Sequence, residues 1–141
     1  MMAGRPLRHL VLDNEAAQAL LSRRAGDRRR AAVVEAIAAA NGRILVPTAV
    51  RVEAGWRRRD PAAAYANRLV HDDDPLDRER ADRAVGLRRQ VPAASVVDAA
   101  VATTAEHVCA SNAVVEVLTS DVGDLQALAA CVTVRVDVIA L

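Results

Sequence analysis

Apolar residues in this chain fall into short runs, separated by longer stretches of helical periodicity. Residues 9–12 (HLVL), 44–46 (ILV) and 113–118 (AVVEVL) have the length and composition of buried strands, and residues 132–139 alternate like a last strand. Between them the spacing predicts helices. Asn14 is placed to cap the first, with Glu15 in its opening turn and Ala16, Leu20 and Leu21 on one face; it ends around residues 23–26. Asp27 is placed to cap a helix over 28–40 with a stripe of Val33, Val34 and Ile37, stopped by Asn41-Gly42. Pro47 closes the second strand. Thr48 is then placed to cap a helix running to about residue 59, in which Ala49, Val52 and Trp56 share a face and Glu53 sits at its edge.

Asp60-Pro61 opens a further helix to about residue 70. Residues 71–75 are polar and turn-like. Residues 76–89 read as an arginine-rich helix with Ala81, Ala84 and Val85 on one side and Leu87 beside them. Ser95 is placed to cap a helix over 96–110 packed through Val97, Ala100, Val101 and Thr104, with Asp98 just off that side. Leu125, Leu128 and Ala129 mark a short helix after the strand at 113–118. Strands alternating with helices predict an α/β fold, a mainly parallel sheet covered on both faces. The 141 residues suit one domain spanning 1–141.

Composition narrows the function classes. The formal net charge is +1, so no global basic field announces a nucleic-acid binder. All 19 Lys+Arg positions are Arg, a residue suited to phosphate and carboxylate, although GC-rich coding yields the same bias. Trp56 and Tyr65 are the only aromatics, which supplies few platforms for base stacking. Cys109 and Cys131 are too few for a disulfide scaffold and read as buried free thiols. With no apolar run near membrane length and none at the start, a cytoplasmic protein without a membrane partner is expected.

The chemistry lies in the acids. Asp13, Glu53, Asp98 and Asp121, with Asp124 close behind, lie at or near the ends of apolar segments scattered along the chain. Parallel sheets bind ligands at the carboxyl ends of their strands, where Asp13 and Asp121 fall. Clustered carboxylates repel unless a cation neutralises them. An all-carboxylate set, with His9, His71 and His107 dispersed, suits a hard divalent ion more than zinc. The bland readings are a cap or strand end for Asp13, an exposed Glu53 paired with Arg57, a dipole-stabilising Asp98, and turn or cap roles for Asp121 and Asp124.

The segments LVLD (Asp13), VPTAVRVEAGWRR (Glu53), SVVDAAVATTA (Asp98) and VLTSDVGDLQALA (Asp121, Asp124) resemble, in order and spacing, the PIN-domain ribonucleases, and most closely the toxin subunits of VapBC-type toxin–antitoxin systems. The resemblance covers essentially the whole chain. It implies a three-layer α/β/α sandwich, with Asp13, Glu53, Asp98, Asp121 and Asp124 as the acids that hold Mg²⁺ or Mn²⁺ for RNA phosphodiester hydrolysis. It also implies a cognate antitoxin laid along a groove near the acids, and a homodimer. Glu15 departs from the family pattern, which has a small polar residue there; Thr119 fits the expected small polar support. Arg57–Arg59 is the best candidate for phosphate contact among arginine runs that are otherwise solvated faces. Two rival readings are a PIN-like interaction module that has lost catalysis and, more weakly, a phosphotransfer domain, which would lack both a D-x-D pattern and a lysine.

Overall fold

Five parallel strands form one sheet in the order β3-β2-β1-β4-β5. They are β1 (Arg8–Leu12), β2 (Arg43–Pro47), β3 (Asp72–Asp74), β4 (Val114–Thr119) and β5 (Val136–Ala140). The computed structural model describes residues 8–22, 24–40, 42–108 and 114–141. Seven described helices complete it: α1 (Asn14–Leu21), α2 (Ala25–Ala39), α3 (Thr48–Ala54), α4 (Ala64–Leu69), α5 (Arg78–Gln90), α6 (Val96–Val108) and α7 (Val122–Ala129). The expected three-layer α/β/α sandwich is the observed architecture. Among the described residues, no helix is long and apolar enough to cross a membrane.

The central strands form because their apolar runs are buried on both faces, as a parallel sheet requires. Leu10, Val11, Leu12, Val46 and Leu118 have no exposed surface, and Val115 and Val117 almost none. The chain leaves β1 for β2 and β3 in one direction and returns through α5 and α6 to β4 on the other side of β1. The order therefore reverses between β1 and β4. In open parallel sheets that reversal, beyond the carboxyl ends of the strands, is where ligands bind. α6 packs against β1, β2 and β4 below and against α5 and α7 beside it. Ala99–Ala105 are consequently buried around the whole helix, on both sides of the expected stripe.

Several expectations are corrected. Asp13, not Asn14, is the N-cap of α1, because its carboxylate accepts from the Asn14 N–H at 2.7 Å. α2 begins three residues early, with Arg24 at the cap position and Asp27 inside the first turn. α3 is capped by Pro47, not Thr48, and stops after seven residues because Gly55 adopts φ +69°, a conformation only glycine takes without strain. Its buried residue is Val50, whereas Val52 is 83% exposed; Trp56 reaches the core from outside the helix, its Nε1–H donating to Asn67 at 2.9 Å. In α2 and α5, Val33 and Val85 are likewise exposed, and Ala84 and Leu87 carry the buried side of α5. Residues 72–74 of the expected turn are the edge strand β3, and β5 begins at Val136 instead of 132. Cys131 is free and only partly buried. The readings placed on Arg23, Asn41, Cys109, Ala110 and Ala113 lie outside the described residues.

Candidate metal centre

Asp13 directly follows β1 and extends the sheet, its N–H donating to the Leu118 carbonyl of β4 at 3.1 Å. The residue is 4% exposed. One carboxylate oxygen is held by the Asn14 amide and the other by the Thr119 hydroxyl, which donates at 2.5 Å. Thr119, at the end of β4, has no exposed surface. The same hydroxyl accepts from the Asp121 N–H at 2.9 Å and so ties the exit of β4 to the exit of β1. The small polar support expected at Thr119 is therefore a hydrogen-bonded bridge from the Asp13 carboxylate to the Asp121 backbone.

Asp98 comes from the start of α6. Ser95 and Asp98 cap that helix reciprocally: the Asp98 N–H donates to Ser95 Oγ at 3.0 Å and the Ser95 N–H to Asp98 Oδ2 at 3.3 Å. This is the capping-box arrangement, with aspartate as the acid. The expected cap at Ser95 is observed, but the grip of its amide on the site carboxylate was not anticipated; the S-x-x-D spacing was the available signal. Asp121 occupies the N-cap position of α7, yet its side chain makes no capping hydrogen bond, and Asp124 lies in the first turn. One carboxylate oxygen from each of Asp98, Asp121 and Asp124 lies within 4.8 Å of the others.

Three helix amino termini, those of α1, α6 and α7, thus carry the four aspartates. Their dipoles favour negative charge there but do not cancel the repulsion. Burial pushes the Asp98 carboxyl up to about 6; the Ser95 N–H pulls it down, and the charges of Asp13 and Asp121, with a hydrogen bond shared with Asp121, raise it again. The folded protein therefore holds a proton on Asp98 over a range, from 3.8 to about 6, in which the unfolded chain has released it. Stabilisation from this group is complete below that range and is lost as pH rises through it. The expected result is a metal-free melting temperature that falls more steeply from pH 4 to 6 in the wild type than in Asp98→Asn, measured by scanning calorimetry; superimposable profiles would contradict it.

The structure does not bring Glu53 into this group. It is exposed on α3, and the helix ends before Arg57, which reaches Asp60 at 3.3 Å in place of Glu53. Glu15 is also outside the group and pairs with Arg30 of α2 at 3.3 Å. Within the arginine run, Arg58 is fully engaged, stacked 4.7 Å over Trp56 and bonded to Asn67, the Val70 carbonyl and Asp73; Arg57 and Arg59 are exposed.

The donor set is entirely oxygen, carried on rigid elements, and partly open through Asp121 and Asp124. Such a set fits a hard divalent cation that retains waters, the preference of Mg²⁺ and Mn²⁺. Compared with known proteins, the chain matches no family model and no curated protein.

Proposed function

We propose that this protein is a metal-dependent endoribonuclease, the toxin member of a toxin–antitoxin pair, built on a PIN-like domain. The observation that supports this reading is the meeting of Asp98, Asp121 and Asp124, beside Asp13, at the point where the strand order reverses. Asp98, Asp121 and Asp124 would hold Mg²⁺ or Mn²⁺, with Asp13 adjacent. Such an ion, when bound, lowers the pKa of water and offsets charge developing on a phosphate. The protein's own share is positional. Thr119 and Ser95 fix two of the carboxylates, and the exposed Arg57 and Arg59 are the candidate phosphate contacts.

A groove of about 510 Å³ opens further along α1, between Leu20, Ala31, Pro61 and Tyr65, and is compatible with a peptide partner such as an antitoxin segment. The purified protein is expected to cut RNA in Mg²⁺ or Mn²⁺ and to stop in a chelator. Failure to cut in either metal would sink the enzymatic reading.

The second reading, a PIN-like interaction module without catalysis, is favoured by one observation, that Glu53 is exposed and not among the close-set carboxylates of Asp98, Asp121 and Asp124. Calorimetry separates the two. Millimolar or tighter binding of Mg²⁺ or Mn²⁺ supports the nuclease, and no binding supports the module.

A further inference from the structure

Three arginines of α5 reach other parts of the chain. Arg80 pairs with Asp74, and Arg83 with Glu106 at 2.9 Å, so both end on carboxylates. Arg88, in the last turn, ends on a peptide: its Nε–H donates to the Ala94 carbonyl at 3.1 Å. That carbonyl is not one of those left unpaired at the end of α5. It lies in the turn that leads from α5 into α6.

The turn is closely drawn. The Val91 N–H donates to the Leu87 carbonyl at 2.9 Å, the Ala94 N–H donates to the Val91 carbonyl at 3.0 Å, and Ala94 is buried. The Ala94–Ser95 peptide then carries two hydrogen bonds in opposite directions. Its carbonyl accepts from Arg88, and its N–H donates to Asp98 Oδ2 at 3.3 Å. A trans peptide is a plane with its C=O and N–H on opposite sides, so fixing the direction of one fixes the other. Arg88 and Asp98 therefore hold the two ends of one rigid plate. A charged donor on the carbonyl also polarises the amide, which strengthens the bond made by its N–H.

We propose that Arg88 is a positioning residue of the metal centre, which aims the Asp98 carboxylate toward Asp121 and Asp124 through the Ala94–Ser95 peptide. The inference rests on the reading of these aspartates as a metal site and adds to it a residue that acts from outside the carboxylate group. Partners that orient a metal ligand in this way are worth about 10–100-fold in metal affinity.

Calorimetric titration of the metal-free protein with Mn²⁺ tests the role. Arg88→Met removes the donor at an exposed position and keeps an apolar stem. Its Mn²⁺ affinity should fall roughly tenfold or more. Arg88→Gln places its Nε2 as many bonds from Cα as the arginine Nε, so it keeps a neutral donor in place and should recover part of the loss. Arg88→Lys keeps a charged donor and should also recover part of it. Urea denaturation of the same proteins separates aiming from anchoring. An arginine that only ties α5 to the turn would change stability in the Met variant and leave the affinity of the folded protein unaltered. Far-UV circular dichroism checks that the variants are folded. Equal affinity in wild type and Arg88→Met, or a loss that neither Gln nor Lys reduces, would overturn the role of Arg88 and leave the metal centre standing. A wild type that binds no Mn²⁺ would remove the centre, and the role of Arg88 with it.

Discussion

Replacing Asp98 by Asn is expected to abolish metal-dependent RNA cutting and, in the metal-free protein, to raise the melting temperature. The two effects share a cause. Asp98 is 5% exposed, faces the charges of Asp13 and Asp121, and holds its proton up to about pH 6. At neutral pH the folded apoprotein therefore bears a carboxylate that its surroundings disfavour. Asn keeps the shape and the oxygen that accepts from Ser95 but removes the charge. Partial solvation of Asp121 screens the repulsion and limits the gain; each kcal/mol recovered raises the melting temperature of a domain this size by about 4 °C. The rate of cutting should fall roughly 10²-fold or more, the scale of losing one group that stabilises developing charge. Asp13→Asn should also abolish cutting but without the gain in stability, because Asp13 is held by Asn14 and Thr119 and caps α1. A gel assay and scanning calorimetry on the same preparations check this. An Asp98→Asn protein that cuts normally, or one that loses stability, would show that the residue serves the fold instead of the chemistry.

Asp74→Ala should strongly destabilise the fold. Asp74 is paired with Arg80, the side chains being 10% and 12% exposed, and it accepts from the Thr104 hydroxyl of α6 at 2.6 Å. Arg80 also donates to the Pro75 carbonyl at 3.0 Å, and its Nε has no partner. Removing the carboxylate strands a guanidinium between β3, α5 and α6, a loss of about 3–5 kcal/mol against a typical total of about 5–15. Replacing both partners, Asp74→Leu with Arg80→Met, removes the stranded charge and should recover much of that loss. Urea denaturation of the two proteins makes the comparison. A double variant no more stable than the single one would show that the pair contributes more than charge compensation.

What could be read in the sequence follows physical causes. β1, β2 and β4 were legible because strands buried on both faces must be continuous apolar runs, as HLVL, ILV and VVEVL are. β3 was not, because Asp72-Asp73-Asp74 has no strand propensity; it pairs with β2 only once Arg43, Arg51, Arg58 and Arg80 neutralise it. Asp98, Asp121 and Asp124 were legible as acids at element boundaries, which a parallel sheet collects at one edge. Glu53 was placed by a helical phase that assumed Val52 faced inward. The helix instead ends at Gly55 and buries Val50 while Val52 is exposed, so the stripe was misphased; Glu53, three residues after Val50, is exposed. The reciprocal grip of Ser95 on Asp98 involves a backbone amide, for which a side-chain alphabet carries only the spacing.

The enclosure of α6 has a consequence for motion. A segment walled in on every side by the sheet and by neighbouring helices can expose its amides to solvent only when the domain opens as a whole. Deuterium should therefore reach the backbone from Ala100 to Ala105 last, at a rate set by global unfolding. The carboxylate one turn upstream then rides on the least yielding part of the molecule, with its position held before any ligand arrives.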